Sequence, residues 1–394
     1  MVKKSESRGE AGSGAAVVSK SVNIEKTFSF LEKINKDYAG FISKKSSIEV
    51  IDSGSPNINA MIGIGGFPKG RISHIFGPQG SGKSFLSLVA AKNALDADPD
   101  AYVVWIDAER SFTYDWAEKM GIWSPDPEKN RMLIIKTSDG VEIFEAIYGK
   151  IKKEKFGSKK IANGILDEIN AGNLKCPLIV IDSLASIISP REKMSPVGGL
   201  TVSALAGFLT SEIRRVSDLL EQSKTAMILI NQVRQNLDEV YGEKYHHPGG
   251  ENIKHQMSLN IYLEKRTGVD DLILNVEKDK NTLLGQKVKA VLKKSRFGPA
   301  PKTCETTFLF TEGAGYDKIG IINTDLEILS LAVEANLIVK AGAGWYTLPT
   351  GDKVQGDKKV QEYFKENPDF LEELKTKLFQ KNNDGTVTID ETIA

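Results

Sequence analysis

The stretch IFGPQGSGKS, residues 75–84, sets Gly77, Gly80 and Gly82 ahead of Lys83 and Ser84. A strand-like run leads into it, and the helical segment FLSLVAAKNAL follows. This is the spacing G-x-x-x-x-G-K-[ST], and its chemistry is phosphate binding. Glycines let successive backbone N–H groups curl around phosphate oxygens, and a helix N-terminus adds its positive end. Lys83 would reach the β- and γ-phosphates, and the Ser84 hydroxyl would ligate Mg²⁺. The expected nucleotide contacts are Gly77, Pro78, Gln79, Gly80, Ser81, Gly82, Lys83, Ser84 and Phe85.

Such a loop needs carboxylates on neighbouring strand ends. PLIVIDS supplies Asp182, expected to hold the metal with Ser84, partly through water. AYVVWIDAER supplies Asp107 and Glu109. Phosphoryl transfer depends on positioning and electrostatics, and Glu109 is the expected base that orients the attacking water. AMILINQ ends on Asn231 and Gln232. There, a γ-phosphate contact and a local backbone contact account for the residues equally well.

Positioning these groups takes a sheet. RISHIFG, AYVVWIDAE, RMLIIKT, PLIVIDS and AMILINQ are short and apolar on both faces, and helical stretches separate them. That pattern predicts an α/β fold with a largely parallel sheet. SLNIYLEKR, LILNVEK, QKVKAVLKK and ETTFLF follow one another closely and predict antiparallel additions. Residues 1–20 read as an unstructured lead. Residues 21–48 hold an amphipathic helix (Ile24, Phe28, Leu31, Ile34, Tyr38, Phe41) that could pack on its own domain or elsewhere. The core spans 49–324, and 325–394 form a small α+β module and tail.

The 52 Lys+Arg balance 52 Asp+Glu, which argues against binding nucleic acid by bulk charge. Cys176 and Cys304 lie far apart without a CxxC, so neither a disulfide framework nor a cysteine zinc site is expected. No apolar run is long enough to span a membrane. A reducing cytoplasm fits this cysteine usage.

Taken in order, GGFPKGRISHIFGPQGSGKSFLSL, WIDAERSF, LIVIDSLASI, ILINQVR, KKSRFGPAPK and GWYTLPTGDKVQGDKKVQEYFKENP resemble the RecA family of strand-exchange recombinases, from about residue 50 to 380. The resemblance implies a RecA-like P-loop ATPase core, with ATP and Mg²⁺ as cofactors. Glu109 would take the role of water-activating carboxylate and Gln232 that of γ-phosphate sensor. Lys294 and Arg296 in KKSRFG would reach a neighbour's site in a helical filament, and Trp116 would lie against adenine. Thr113 stands where an acidic adenine contact is common in the family. The resemblance also assigns residues 21–48 to self-association. The stretch 149–175, GKIKKEKFGSKKIANGILDEINAGNLK, exceeds the usual bacterial spacing and fits a phage or diverged recombinase.

Two long polar connections follow, and the resemblance makes them loops for single-stranded DNA. The first, 189–204, carries Arg191, Gly198 and Gly199; the second, 234–255, carries Arg234, Tyr241, Tyr245, Gly249, Gly250, Asn252 and Lys254. Backbone amides at the glycines suit phosphates, and the tyrosines suit base stacking. The cluster EKYHHPGGENIKHQ lacks metal-ligand spacing, which sets zinc aside. The expected activity is DNA-stimulated ATP hydrolysis by a filament that pairs single-stranded DNA with a homologous duplex, served by loading or single-strand-binding proteins. A RecA-like repair ATPase or ring helicase without strand exchange, or a small-molecule P-loop kinase, are the rival readings.

Overall fold

The structure is a computed structural model that describes residues 48–154, 157–195, 202–235, 245–246, 251–277, 280–313, 315–381 and 387–389. The amphipathic helix expected over 21–48 lies outside these residues, save for its last position.

Along the chain, α1 (Pro56–Ile62) precedes β1 (Ile72–Gly77), α2 (Lys83–Ala97), β2 (Val103–Asp107), α3 (Tyr114–Lys119), β3 (Met132–Ile135) and α4 (Gly140–Tyr148). Next come α5 (Ile165–Asn170), β4 (Leu178–Asp182), α6 (Pro190–Met194), α7 (Val202–Ser223), β5 (Ala226–Gln232) and α8 (Glu251–Gln256). The strands β6 (Leu259–Lys265), β7 (Leu272–Glu277), β8 (Lys280–Ser295), β9 (Lys302–Leu309) and β10 (Gly320–Ile322) complete the central sheet. Among the described residues it has ten strands in the order β10-β9-β8-β6-β1-β5-β4-β2-β3, with β7 paired to β8. The members β6, β1, β5, β4, β2 and β3 are parallel, and β7 to β10 add antiparallel. The α/β class and the antiparallel additions are therefore as expected.

Strand alternation explains why the parallel members are apolar throughout. Ile75, Val103, Trp105, Leu178, Val180, Ile228 and Ile230 pack on one face with α2. Val104, Ile106, Ile179, Ile181, Met227 and Leu229 pack on the other with α4 and α7. A sheet covered on both faces has no polar side. Helix α2 is likewise buried nearly all round, from Phe85 to Leu95.

Three local outcomes differ from the sequence reading. The stretch 149–175 holds an antiparallel hairpin, Lys150–Glu154 with Gly157–Ala162, followed by α5. The first polar connection holds α6, and α7 already begins at Val202. The second is closed at its base by pairing of Arg234–Gln235 with Tyr245–His246 and ends in α8. Ser189 caps α6 reciprocally with Glu192, the S-x-x-E pattern of a capping box.

The C-terminal module joins α9 (Thr324–Glu334), α10 (Asp357–Glu366) and α11 (Pro368–Leu378) to a three-stranded sheet, Val339–Ala341, Trp345–Thr347 and Lys353–Gln355. Ile328, Leu331, Tyr346, Val360, Phe364 and Leu374 build its core, and Ala60 of α1 joins it. The junction is polar at one point. Glu327, 7% exposed, accepts from Ser55 Oγ at 2.6 Å, Asn57 N–H at 3.0 Å and Thr306 Oγ at 2.7 Å. Burial pushes its carboxyl up to about 7 against those donors.

This sets a pH dependence. A carboxyl raised above its unfolded value binds protons more readily in the folded state, so stability falls as pH rises from about 4.5 through 7. Thermal melts between pH 5 and 8 should show that slope, and Glu327→Gln should flatten it. Glu327→Ala strands three donors and should cost about 3 kcal/mol by denaturant titration.

Candidate functional site

Register alone brings the predicted groups to one edge. Gly77 lies beside Gln232 in the β1–β5 pairing, and Asp107 lies beside Asp182 in the β2–β4 pairing. All four stand at the C-terminal ends of parallel strands, where open α/β sheets place ligands.

The loop from Gly77 to Ser84 has the backbone its glycines predict. Gly80 and Gly82 have φ of 74° and 85°, a region open chiefly to glycine. A Cβ on Gly82 would sit 2.4 Å from the Phe308 ring, and one on Gly77 would sit 2.1 Å from the Leu263 carbonyl oxygen. Pro78 is half-buried, while Gln79 and Gly80 are exposed. Ser81 is fully buried, and its Oγ has no hydrogen-bond partner among the described residues.

Lys83 opens α2 and is buried at 7% exposure. Its ammonium donates to the carbonyls of Gly77 at 3.1 Å and Pro78 at 2.8 Å, inside the loop itself. Burial pulls its pKa below the usual lysine value, and the Asp182 and Glu109 charges oppose that shift. Ser84 Oγ donates to Asp182 Oδ2 at 2.6 Å. Asp182 is 5% exposed, and burial raises its carboxyl to about 6. A glycine cradle, a buried ammonium and a hydroxyl–carboxylate pair fit a Mg²⁺–nucleoside triphosphate. Lys83 would meet its phosphates, and Ser84 and Asp182 its metal.

Glu109 is held by two backbone bonds, since Ala108 and Glu109 N–H groups donate to Asp182 O at 2.7 and 3.1 Å. Asp107 does another job. Its carboxylate accepts from Ser111 and Phe112 N–H groups at 3.0 and 3.3 Å and fixes the turn after β2. Gln232 Nε2 donates to Glu109 Oε1 at 2.9 Å, so the residue left open between two readings turns toward the carboxylate. Asn231 Oδ1 accepts from the Gln232 N–H at 3.0 Å.

Trp116 is half-buried on α3 and stacks on Phe310, with centroids 5.6 Å apart and planes 25° apart. Phe85 meets Trp116, Phe308 and Phe310 at 4.8 to 5.5 Å. Sequence reasoning did not single out Phe308 and Phe310. Their signal was the alternation in ETTFLF, which puts both on one face. It also missed Gln286 of β8, which is buried and donates to the Gly80 carbonyl at 3.0 Å. A lone glutamine in a strand carries no such signal.

Lys294 and Arg296 stand away from this chain's phosphate loop. Lys294 pairs with Asn260, which lies beside His74. That is three residues back from Gly77, roughly 10 Å at strand rise. The Lys294 ammonium donates to Lys254 O at 2.8 Å and His255 O at 3.0 Å, and Arg296 donates to His255 O at 3.0 Å. Both cations therefore cap the C-terminus of α8, where carbonyls and the helix dipole favour positive charge.

Of the expected DNA contacts, Arg191 is exposed on α6, and Lys254 lies on α8 with its carbonyl taken by Lys294. The backbone places Arg234 and Tyr245 in the short strands at the base of the second loop and Asn252 in the first turn of α8. Gly198, Gly199, Tyr241, Gly249 and Gly250 lie outside the described residues. Among the described residues, no helix is long and apolar enough to cross a membrane, and no cluster of three metal-ligating side chains occurs.

Fold and site together define a P-loop protein of the α/β class, with a glycine-rich loop and the carboxylates of Asp107, Glu109 and Asp182 on one sheet edge. The family model of the RecA N-terminal domain matches residues 21–152 and 157–315, and that of the RecA C-terminal domain matches 326–383. The chain belongs to the RecA family. It is 28% identical over 350 residues to Protein RecA of Nocardioides sp., covering 89% of this chain and 87% of that one. It is 28% identical over 340 residues to Protein RecA of Mycoplasmopsis pulmonis, covering 86% and 87%. With Protein RecA of Streptomyces ambofaciens the identity is 27% over 337 residues, covering 86% and 79%.

Proposed function

We propose that this chain is a DNA-dependent ATPase that polymerises on single-stranded DNA and exchanges it with a homologous duplex. The Gln232–Glu109 hydrogen bond carries the reading. Gln232 ends the strand that runs directly into the second polar loop, and Glu109 is the carboxylate expected to orient water. DNA held by that loop would thus bear on Glu109 through one strand end.

When bound, Mg²⁺ neutralises charge on the transferring phosphoryl group. Lys83 would hold the phosphates, Ser84 and Asp182 would hold the metal, and the Trp116–Phe310 pair would border the space for the base. Glu109 orients water once Gln232 turns from it toward the γ-phosphate. Lys294 and Arg296 stabilise charge from the adjacent subunit, as arginine fingers do. In their own chain both cations cap the helix that closes the second loop, through Lys254 O and His255 O. Arg296 brings a planar fork where the family more often has lysine. Residues 21–48 form the self-association arm, consistent with head-to-tail contacts that grow a helix.

The reading is tested by measuring ADP release with and without single-stranded DNA, alongside a joint-molecule assay with homologous duplex. DNA-stimulated hydrolysis with pairing supports it; hydrolysis indifferent to DNA sinks it. Gln232→Ala should keep DNA-free turnover and lower the stimulated rate about 100-fold, the scale of losing one placed donor. Equal stimulation in that variant would take Gln232 out of the coupling.

A further inference from the structure

The hairpin Lys150–Glu154 with Gly157–Ala162 is a separate two-stranded sheet, off the central one. The family match breaks at 153–156, so the tip falls outside the matched residues. Between 150 and 162 the sequence holds Lys150, Lys152, Lys153, Lys155, Lys159 and Lys160 against Glu154 alone. That gives this segment a net charge of +5 in a chain whose total is zero, and leaves the rest of the chain at −5.

The register compounds the charge. Lys152 lies opposite Lys159, and like charges across a strand pair destabilise it. An isolated hairpin is itself marginal in water. Lysine at one or two edge positions is enough to block aggregation; six in so short a segment concentrate far more charge than that. At the base of the hairpin, Ile151 is 45% and Ile161 56% exposed. The base is firmly seated. A Cβ on Gly164 would stand 2.2 Å from the Gly149 nitrogen, and Lys150 pairs with Glu145 at 3.6 Å.

Helix α4 ties the hairpin to the first polar loop. The N–H of Gly140 donates to Ile188 O at 3.0 Å, and that of Ile188 donates to Ser138 O at 2.8 Å. Asp139, which caps α4, pairs with Lys193 of α6. Nine residues of helix separate this end from the hairpin, about 13 Å. That is shorter than a DNA duplex is wide.

We propose that the hairpin is a phosphate-contacting site for double-stranded DNA. Lysines on two strands with Phe156 as the one aromatic suit backbone contact rather than the base stacking that single-strand binders use. A duplex, with one charge per about 1.7 Å of axis, rewards a dense lysine cluster most. The site deepens the strand-exchange reading by naming where the incoming duplex is held.

The test is a variant with Lys152, Lys153, Lys159 and Lys160 all changed to alanine, titrated against a short labelled duplex without nucleotide. Four lost phosphate contacts should make the slope of log K against log salt shallower by about 3.6, and weaken binding at least about tenfold. The matching four-arginine variant should keep wild-type slope and affinity. An unchanged slope with alanine, or an equal loss with arginine, overturns the proposal. Unchanged duplex binding with capture of polyglutamate also overturns it and points to an acidic protein instead. Single-strand-stimulated ATP hydrolysis is measured beside it. If wild type lacks that stimulation, the functional reading above fails; if stimulation persists while the duplex slope is unmoved, the hairpin proposal alone fails.

Discussion

Lys83→Ala should remove ATP turnover, lowering single-strand-stimulated ADP release at least about 100-fold, the least that loss of one placed charge costs a transition state. The reason lies in what the side chain does in the loop. Its ammonium, buried and held by the carbonyls of Gly77 and Pro78, marks where phosphate oxygens would take over those bonds. Burial has already lowered its pKa, so water has been largely removed before phosphate arrives. An alanine leaves the glycine cradle with no charge to offset phosphate repulsion. Far-ultraviolet circular dichroism and the melting temperature should stay near wild type, because the ammonium contacts only loop carbonyls. A variant that retains turnover, or normal strand exchange, would remove the site from this loop.

The second large effect falls on residues that do not touch that loop in their own chain. Lys294→Ala with Arg296→Ala should depress DNA-stimulated hydrolysis by about 1,000-fold or more, the range for losing a finger cation. Lys294 stands three strand positions back from Gly77 in the same sheet, so the loss is predicted in a neighbour's site. Mixing supplies the decisive measurement. The Lys83→Ala chain keeps its cations, and the Lys294/Arg296 double variant keeps its phosphate loop. Mixed filaments should recover hydrolysis that neither variant shows alone. Two silent variants that stay silent together would place the cations in a structural role, as caps on α8, and nothing more.

Those two predictions rest on different kinds of information. Lys83 was legible because G-x-x-x-x-G-K-[ST] has one physical use, and strand and helix flank it as that use requires. Asp182 and Glu109 were legible as acids where apolar runs stop. The parallel sheet was legible because strands buried on both faces must be apolar throughout. Trp116, Lys294 and Arg296 drew on family resemblance, since an aromatic ring on a short helix and two cations after a strand are common in any surface.

Gln232 shows the limit of local reading. Its position at a strand end was visible, with two uses fitting it equally; the register of β1 and β5 sets it beside Gly77, and its amide meets Glu109, a contact neither use named. Phe308 and Gln286 lie more than 200 residues from the loop they support, and no spacing rule joins such positions. The insertion 149–175 was visible as excess length, yet whether it paired into a hairpin depended on register. The sequence by itself determined which residues are chemically able to hold phosphate, metal and water, because those abilities belong to side-chain type and to the chain immediately around them. Which of them meet was decided only by the tertiary structure, because sheet order and register bring together strand ends that the chain keeps a hundred residues apart.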